Sequence, residues 1–199
     1  MNKKIAIIGA GGHGKVVGEI AMLNEYEVIN FFDDQANNIK EFLFTPIKTL
    51  EYLNKNLKDY DAFFVAIGDN QARSNKIKWL KGLNVNIVNL VHPKSSISKF
   101  SSLGMGTCVM ANAAINAGTF IKEGVIVNTS ASIDHDCTIG DFSHISPNCS
   151  LSGNVNIGKF THLGSGTSVH PGSNIGNNVR TGVGTKVFKD ILDDMVLNN

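Results

Sequence analysis

The 199-residue sequence predicts an α/β domain of Rossmann-like type followed by an all-β parallel coil of six-residue repeats. The second domain is indicated by an aliphatic residue at every sixth position from Ile97 to Val187, with Thr181 as the single exception. The first is indicated by short apolar runs that alternate with segments of helical periodicity, the pattern of a parallel sheet covered by helices. We expect the two domains to comprise residues 1–92 and 93–199.

Four apolar runs and two helical segments make up the first domain. The runs end near glycine, aspartate or proline, as strands of a parallel sheet commonly do. In chain order the prediction is strand Lys4–Ala10, helix 13–24, strand Glu27–Phe32, strand Asp61–Gly68, helix 70–83 and strand Val85–Val91.

The second domain cannot be helical, because 3.6 residues per turn would spread a six-residue repeat around every face. The period fits a short strand plus a tight corner, with three units closing one turn and turns stacking about 4.8 Å apart. The units then make about five turns, roughly 25 Å in all. Small or β-branched residues four positions after each aliphatic define a second inward position. Glycines directly after the aliphatic, such as Gly140, or three after it, such as Gly118, are expected at sharp turns.

The composition favours a small-molecule ligand. The 18 Lys and Arg residues and 17 Asp and Glu residues leave a net charge of +1, and no basic stripe indicates nucleic acid or an acidic membrane. No apolar run approaches a membrane span and no signal peptide is evident, so we expect no membrane insertion and a cytoplasmic location. Cys108, Cys137 and Cys149 lack metal-ligand spacing and are interpreted as small core residues.

The turn after the first strand reads GAGGHG over positions 9–14, and Asp33 follows its last glycine by nineteen residues. This spacing matches a dinucleotide fingerprint, in which glycines let the backbone approach a phosphate and the helix N-terminus supplies N–H donors. Any nucleotide diphosphate fits the same chemistry, and a tight turn without a ligand is the alternative interpretation. An NAD-linked oxidoreductase is disfavoured, because no second domain could hold a hydride acceptor.

The six-residue units resemble the hexapeptide repeats of the left-handed parallel β-helix acyltransferases, and left-handedness is implied by that resemblance alone. With the IIGAGGHGK opening, the FFDD strand end and the AIGDN turn, the chain resembles the sugar O-acyltransferase group. That group includes sialic acid O-acetyltransferases and bacterial UDP-4-amino-sugar N-acetyltransferases. The resemblance implies acetyl-CoA as acyl donor, a UDP-amino sugar as acceptor, a homotrimer with its site between adjacent subunits, and no metal.

The resemblance also assigns the residues that bind the sugar nucleotide. The glycine turn is implied to meet the phosphates, and the acidic pair the base or ribose. The loop after the third apolar run is expected to line the same cleft. The substrate-binding set is Gly11, Gly12, His13, Gly14, Asp33, Asp34, Gly68 and Asn70.

In the repeats, His135 and Asp136 occupy outward positions, and a histidine beside a carboxylate can act as a base. The alternative interpretation is an ordinary pair of solvated residues. The resemblance implies that His135 takes a proton from the acceptor while Asp136 orients or polarises it. Residues eighteen apart stack in successive turns, so Gly153 should lie one turn from His135, where its N–H could stabilise the thioester oxygen.

The acyl donor is expected in a groove between two coils, with His144, Gly153 and Asn128 as its contacts and with Met110 and Ile126 on the outward faces nearby. The favoured function is an acetyl-CoA-dependent N-acetyltransferase acting on the 4-amino group of a UDP-linked 4-amino-4,6-dideoxy sugar in bacterial glycan synthesis. A sialic-acid-type sugar O-acetyltransferase and a non-catalytic nucleotide-sugar sensor or scaffold are the alternatives.

Overall fold

The computed structural model describes residues 3–44 and 46–198. Along the chain it divides between Leu90 and Val91 into two compact units. The first unit is α/β and the second is an all-β coil, which confirms the predicted fold class.

The first unit has a four-stranded parallel sheet in the order β3-β2-β1-β4. Its elements are β1 Lys4–Ile8, α1 Gly12–Leu23, β2 Val28–Phe32, β3 Ile47–Lys48, α2 Leu50–Lys55, β4 Ala62–Val65 and α3 Asn70–Gly82, with short 3-10 turns at Ala36–Asn38 and Leu57–Asp59. The strands β1 and β4 are buried almost throughout, as expected for a parallel sheet covered on both faces.

The predicted last strand of this unit, Val85–Val91, is wrong as a single element. Ile87 forms only an isolated bridge to Phe63, and Leu90–Val91 pairs within the coil instead. The short β3 and the six-residue α2 were not predicted, since neither is long enough to show a period. Thr49 caps α2 by accepting a hydrogen bond from the Tyr52 N–H at 3.2 Å.

In the second unit, every described strand has two residues, and the strands pair in parallel at a spacing of eighteen residues, as in Ser132 with Ser150. The last pair is the exception, since Arg180 pairs with Val196 sixteen residues later. Three sheets result, of five, six and seven strands, in the arrangement of a left-handed parallel β-helix. The strands are β5 Leu90–Val91, β6 Ser96–Ile97, β7 Ser102–Leu103, β8 Cys108–Val109, β9 Ala114–Ile115, β10 Phe120–Ile121, β11 Ile126–Val127, β12 Ser132–Ile133, β13 Thr138–Ile139, β14 His144–Ile145, β15 Ser150–Leu151, β16 Asn156–Ile157, β17 His162–Leu163, β18 Ser168–Val169, β19 Asn174–Ile175, β20 Arg180–Thr181, β21 Lys186–Val187 and β22 Val196–Leu197.

Both predicted inward positions of the repeat are confirmed. The aliphatic column forms one hydrophobic cluster with the small residues four positions later, among them Cys137 and Cys149. All three cysteines are buried free thiols. The exception Thr181 is tolerated because its buried hydroxyl is satisfied: Oγ1 accepts from the Gly164 N–H at 2.8 Å and lies 2.8 Å from Thr167 Oγ1.

The glycines fall into two classes, only one of which was predicted correctly. Gly118, three residues after an aliphatic, has a φ of +73° and does serve a turn. Gly140, directly after an aliphatic, has no left-handed backbone. A Cβ there would lie 2.5 Å from Lys159 N, so this glycine permits close stacking of the next turn.

Candidate active site

His135 and Asp136 form a hydrogen-bonded pair at the corner between β12 and β13. His135 Nδ1 lies 2.8 Å from Asp136 Oδ2, and their side chains are 59% and 64% exposed. A carboxylate can only accept, so Nδ1 carries the proton and the neutral ring keeps its lone pair on Nε2. The Asp136 backbone is left-handed, with a φ of +58°, which aspartate tolerates better than most residues. The corner thus presents a histidine with its free nitrogen directed away from its carboxylate partner.

The pKa of His135 is raised above its usual value, first by the hydrogen bond to Asp136 and then by the negative charge of Asp134. The pKa of His135 therefore lies above the 6.5 of an unperturbed histidine. Asp134 was not predicted as a site residue. Its Oδ1 accepts from the His135 N–H at 2.8 Å and from Asn116 Nδ2 at 2.9 Å, and these bonds lower its own pKa. A DHD triplet is the signal that could have revealed it.

Gly153 lies one turn from His135, as its spacing predicted. A Cβ at Gly153 would be 2.6 Å from both Cε1 and Nε2 of the His135 ring, so any side chain would displace the ring. Among the described residues, no hydrogen bond uses the Gly153 N–H, so this donor has no acceptor within the chain; Gly153 itself is buried. His135 and Gly153 border an open depression, which Asp134, Ser152, Asn154, Pro171 and Gly172 complete.

His144 and Asn128 meet elsewhere on the coil. Asn128 Oδ1 accepts from the Thr129 N–H at 2.8 Å, which turns its NH₂ group towards His144 Nε2 at 3.0 Å. Nε2 therefore acts as an acceptor, and the lone pair of His144 is already engaged. The ring also stacks on His162 one turn away, with centroids 4.5 Å apart.

The residues predicted to contact the acyl donor thus lie in two separate places on one chain. His144 belongs to the seven-stranded sheet, whereas Gly153 lies at a corner between the other two sheets. A three-faced prism puts that corner opposite the seven-stranded face. Met110 and Ile126, predicted on outward faces near the site, are only 3% and 1% exposed, and neither belongs to the hydrophobic cluster inside the coil.

In the first unit, the glycine turn separates into packing positions and open positions. Gly9 has a φ of +108°, and a Cβ there would lie 2.7 Å from the Ala66 carbonyl oxygen. A Cβ at Gly14 would overlap the Gly9 carbonyl oxygen, so neither glycine leaves room for a side chain. At Gly11 and Gly12, where α1 starts, a Cβ would meet nothing within 4 Å. These two positions are the ones that leave backbone N–H groups accessible to an anion.

His13 is held neutral. Burial, and then the positive charge of Arg73, lower its pKa to about 4. Its Nε2 is buried and has no hydrogen-bond partner among the described residues. At neutral pH His13 cannot act as a cation towards a phosphate.

Arg73 is a charged residue that the sequence did not reveal. It is 1% exposed and donates to the carbonyls of Ile67 and Gly68 at 3.0 and 2.9 Å, and to Asn70 Oδ1 at 2.8 Å. The predicted cleft residues Gly68 and Asn70 are therefore anchored from beneath by a buried guanidinium.

The two aspartates after β2 differ in availability. Asp33 accepts from the backbone N–H groups of Ala10, at 2.9 Å, and Gln35, at 2.8 Å, so both its oxygens hold the turn. Asp34 is 60% exposed and forms one ion pair, 2.7 Å from Lys76 Nζ. Of the pair, Asp34 is the better placed to meet a ligand.

Metal centres and membrane spans have no candidates in the described part of the chain. Within residues 3–44 and 46–198, His, Cys, Asp and Glu side chains form no group that could bind a metal ion. No helix in those ranges has the length and apolar character needed to span a bilayer.

Comparison with known proteins supplies relatives for both units. The family model described as the PglD N-terminal domain matches residues 4–80. UDP-N-acetylbacillosamine N-acetyltransferase of Bacillus subtilis is 35% identical over 113 residues, which span 55% of this chain and 52% of that protein. The chain therefore matches about half the length of this curated relative.

Solved structures match over nearly the whole chain. The acetyltransferase domain of PglB from Neisseria gonorrhoeae, in complex with acetyl coenzyme A, is 38% identical with a TM-score of 0.94, covering 100% of this chain and 97% of that one. PerB from Caulobacter crescentus, in complex with CoA and GDP-perosamine, is 34% identical with a TM-score of 0.91, covering 98% and 94%. The chain belongs to the hexapeptide-repeat acetyltransferase family of PglB and PerB.

Proposed function

We propose that this protein transfers the acetyl group of acetyl-CoA to the 4-amino group of a UDP-linked 4-amino-4,6-dideoxy sugar, in cytoplasmic synthesis of a bacterial glycan precursor. The observation that carries the proposal is the His135–Asp136 pair, 2.8 Å apart in an open depression beside Gly153. The relatives support the acyl donor and the acceptor class, since one is solved with acetyl coenzyme A and another with CoA and a nucleotide-linked amino sugar.

The chemistry follows from the free nitrogen of His135. An ammonium cannot attack a thioester, so His135 Nε2 first accepts one proton from the acceptor nitrogen and releases it to solvent. The resulting amine then bonds to the acetyl carbon and gives a second proton to Nε2. Negative charge develops on the thioester oxygen, where the Gly153 N–H can donate. The carbon–sulfur bond then breaks, CoA leaves and takes the proton from His135 Nε2, and an amide remains. Asp136 keeps the Nδ1–H in place throughout.

A turnover assay tests this function directly. Thiol release from acetyl-CoA is measured with a UDP-linked 4-amino sugar, its GDP-linked counterpart and sialic acid in parallel. Release with the UDP-linked amine supports the proposal. Release only with sialic acid would make the protein an O-acetyltransferase, and sugar-nucleotide binding without release from any acceptor would indicate a sensor.

The pH dependence should depend on Asp136. A base must be deprotonated in the free enzyme, so the acidic limb of kcat/KM follows the raised pKa of His135 and lies above pH 6.5. Asp136→Asn removes the hydrogen-bonding carboxylate, which is the main cause of that rise. We expect the acidic limb to move to lower pH and kcat to fall less than in His135→Ala. An unchanged or upward-shifted limb would contradict the assignment.

Binding of the sugar nucleotide should depend on the open end of α1. Gly12→Val and Asp34→Ala are each expected to raise the KM for the sugar nucleotide by about 10- to 150-fold, because each removes one hydrogen bond to a charged group, worth about 1.5–3 kcal/mol. The KM for acetyl-CoA should change little.

Gly82→Val is a matched control for Gly12→Val, because a side chain at Gly82 also meets nothing within 4 Å and lies at the end of α3. An equal loss of affinity for the sugar nucleotide and for acetyl-CoA would contradict the assignment of only the sugar nucleotide to the first unit. A gain in NAD affinity would instead favour an NAD-linked oxidoreductase.

The divided acyl-donor set supports a homotrimer with shared sites, because His144 and Gly153 lie on different sides of a single prism. His135→Ala and His144→Ala should each be poorly active alone. When equal amounts of the two variants are refolded together, they should recover up to about a quarter of wild-type activity. In a random trimer, about a quarter of the shared sites take an intact His135 from one subunit and an intact His144 from its neighbour. Sedimentation should report three chains. A fully active monomer would contradict the shared-site model, as would confirmed mixed trimers that recover no activity.

A further inference from the structure

The carboxylate of Asp136 lies over the preceding turn of the coil. The Asp136 N–H donates to the Ala117 carbonyl at 3.0 Å, and Gly118 is the residue eighteen positions earlier. A Cβ built on Gly118 would overlap Asp136 Oδ1 and lie 3.3 Å from Asp136 Cγ. The other oxygen, Oδ2, is the one that meets His135 Nδ1. One oxygen of Asp136 therefore occupies the space that Gly118 leaves open, and the second holds the histidine.

The backbone alone does not explain glycine at position 118. Its φ of +73° is left-handed, but so are those of Asn112, Ser130 and Phe142 at equivalent corners of the same coil, at +58°, +56° and +57°. These corners carry side chains of very different size. What distinguishes Gly118 is the carboxylate above it.

We propose that Gly118 is a positioning residue for the reaction: the absence of a side chain there seats the Asp136 carboxylate against His135 Nδ1. The inference rests on the proposed role of His135 as base. An alanine at position 118 would meet the terminal oxygen of a rotatable side chain rather than backbone. The coil should therefore stay folded while the carboxylate turns away from the histidine, and Nδ1 loses the acceptor that directs the lone pair to Nε2.

The experiment compares Gly118→Ala with Gly166→Ala. Gly166 has nearly the same φ, +71°, yet its nearest neighbour to a Cβ is 3.8 Å away, so alanine there strains the backbone without striking a carboxylate. The pKa of His135 is measured by NMR titration, and kcat and both KM values across pH. Asp136→Asn and the double variant Gly118→Ala/Asp136→Asn complete the cycle.

Gly118→Ala is expected to lower the pKa of His135 and to reduce kcat about as much as Asp136→Asn, with both KM values nearly unchanged. Gly166→Ala should do neither. The double variant should be no slower than Asp136→Asn, because its carboxylate is already gone. The charge of Asp134 acts on His135 in every variant, so some elevation of the pKa should remain.

A wild-type pKa for His135 in Gly118→Ala would overturn the proposal. It would also be overturned if the kcat losses of the two single variants multiplied in the double variant, since the two changes would then act independently. A general loss of folding would appear as lower thermal stability relative to Gly166→Ala, and the titration is then read in the folded fraction. If His135 proves not to be the base, kcat of His135→Ala will show it, while the titration still reports whether Gly118 seats Asp136.

Discussion

Replacing His135 by alanine is expected to lower kcat by about 10²- to 10⁴-fold at neutral pH, the range typical of general-base help. The reason is the protonation of the acceptor: a 4-ammonium group has no lone pair for attack, and in the variant only water can remove its proton. Binding of the sugar nucleotide should be nearly unchanged, since the first unit holds the proposed contacts to it. Steady-state kinetics with both substrates varied, from pH 6 to 10, provide the measurement.

The pH series contains its own control. As the acceptor loses its proton to solvent at high pH, the deficit of His135→Ala should shrink, and added imidazole should restore part of the rate at low pH. If His135→Ala keeps more than about a tenth of wild-type kcat at neutral pH, its loss of rate is smaller than the usual contribution of a general base. The base would then lie elsewhere. His144, the next histidine along the coil, is a poor alternative base, because its Nε2 already accepts a hydrogen bond from Asn128 at 3.0 Å.

The coil could be predicted from the sequence because a six-residue unit fixes both the face and the neighbour of every residue. The same arithmetic placed Gly153 beside His135, and the structure agrees. It also accounts for the pairing of His144 with His162, eighteen residues later. The arithmetic cannot show which nearby carboxylates bond to a histidine. The hydrogen bonds of Asp134 and the role of Gly118 therefore emerged only from side-chain positions.

The α/β unit was less predictable, because a motif does not distinguish packing from binding. Of the glycines in the turn, Gly9 and Gly14 are explained by close backbone contact, whereas Gly11 and Gly12 are open. The neutral state of His13 depends on burial and on Arg73, which is 60 residues away in the sequence. Long-range burial of this kind has no local signature.

The coil's stability should depend on its inward column, and Leu151→Ala should destabilise it by about 2–5 kcal/mol. Leu151 is 1% exposed and pairs in register with Ile133 below and Val169 above. Truncation would leave a cavity between two stacked turns whose backbones are fixed by hydrogen bonds, so neighbouring side chains can fill it only in part. Urea or thermal unfolding of the wild type and the variant measures the difference.

Ser150→Ala is the matched control, because Ser150 belongs to the same two-residue strand but is exposed. Its N–H bond to the Thr167 carbonyl, 2.9 Å long, does not involve the side chain and should survive. The free energy of unfolding should then change by no more than about 0.5 kcal/mol, as for most surface substitutions. Equal effects of the two variants would mean that the inward face of the repeat does not carry the stability of the coil. If only Leu151→Ala lowers the free energy of unfolding strongly, the inward positions of the six-residue repeat carry the stabilising contacts of the coil.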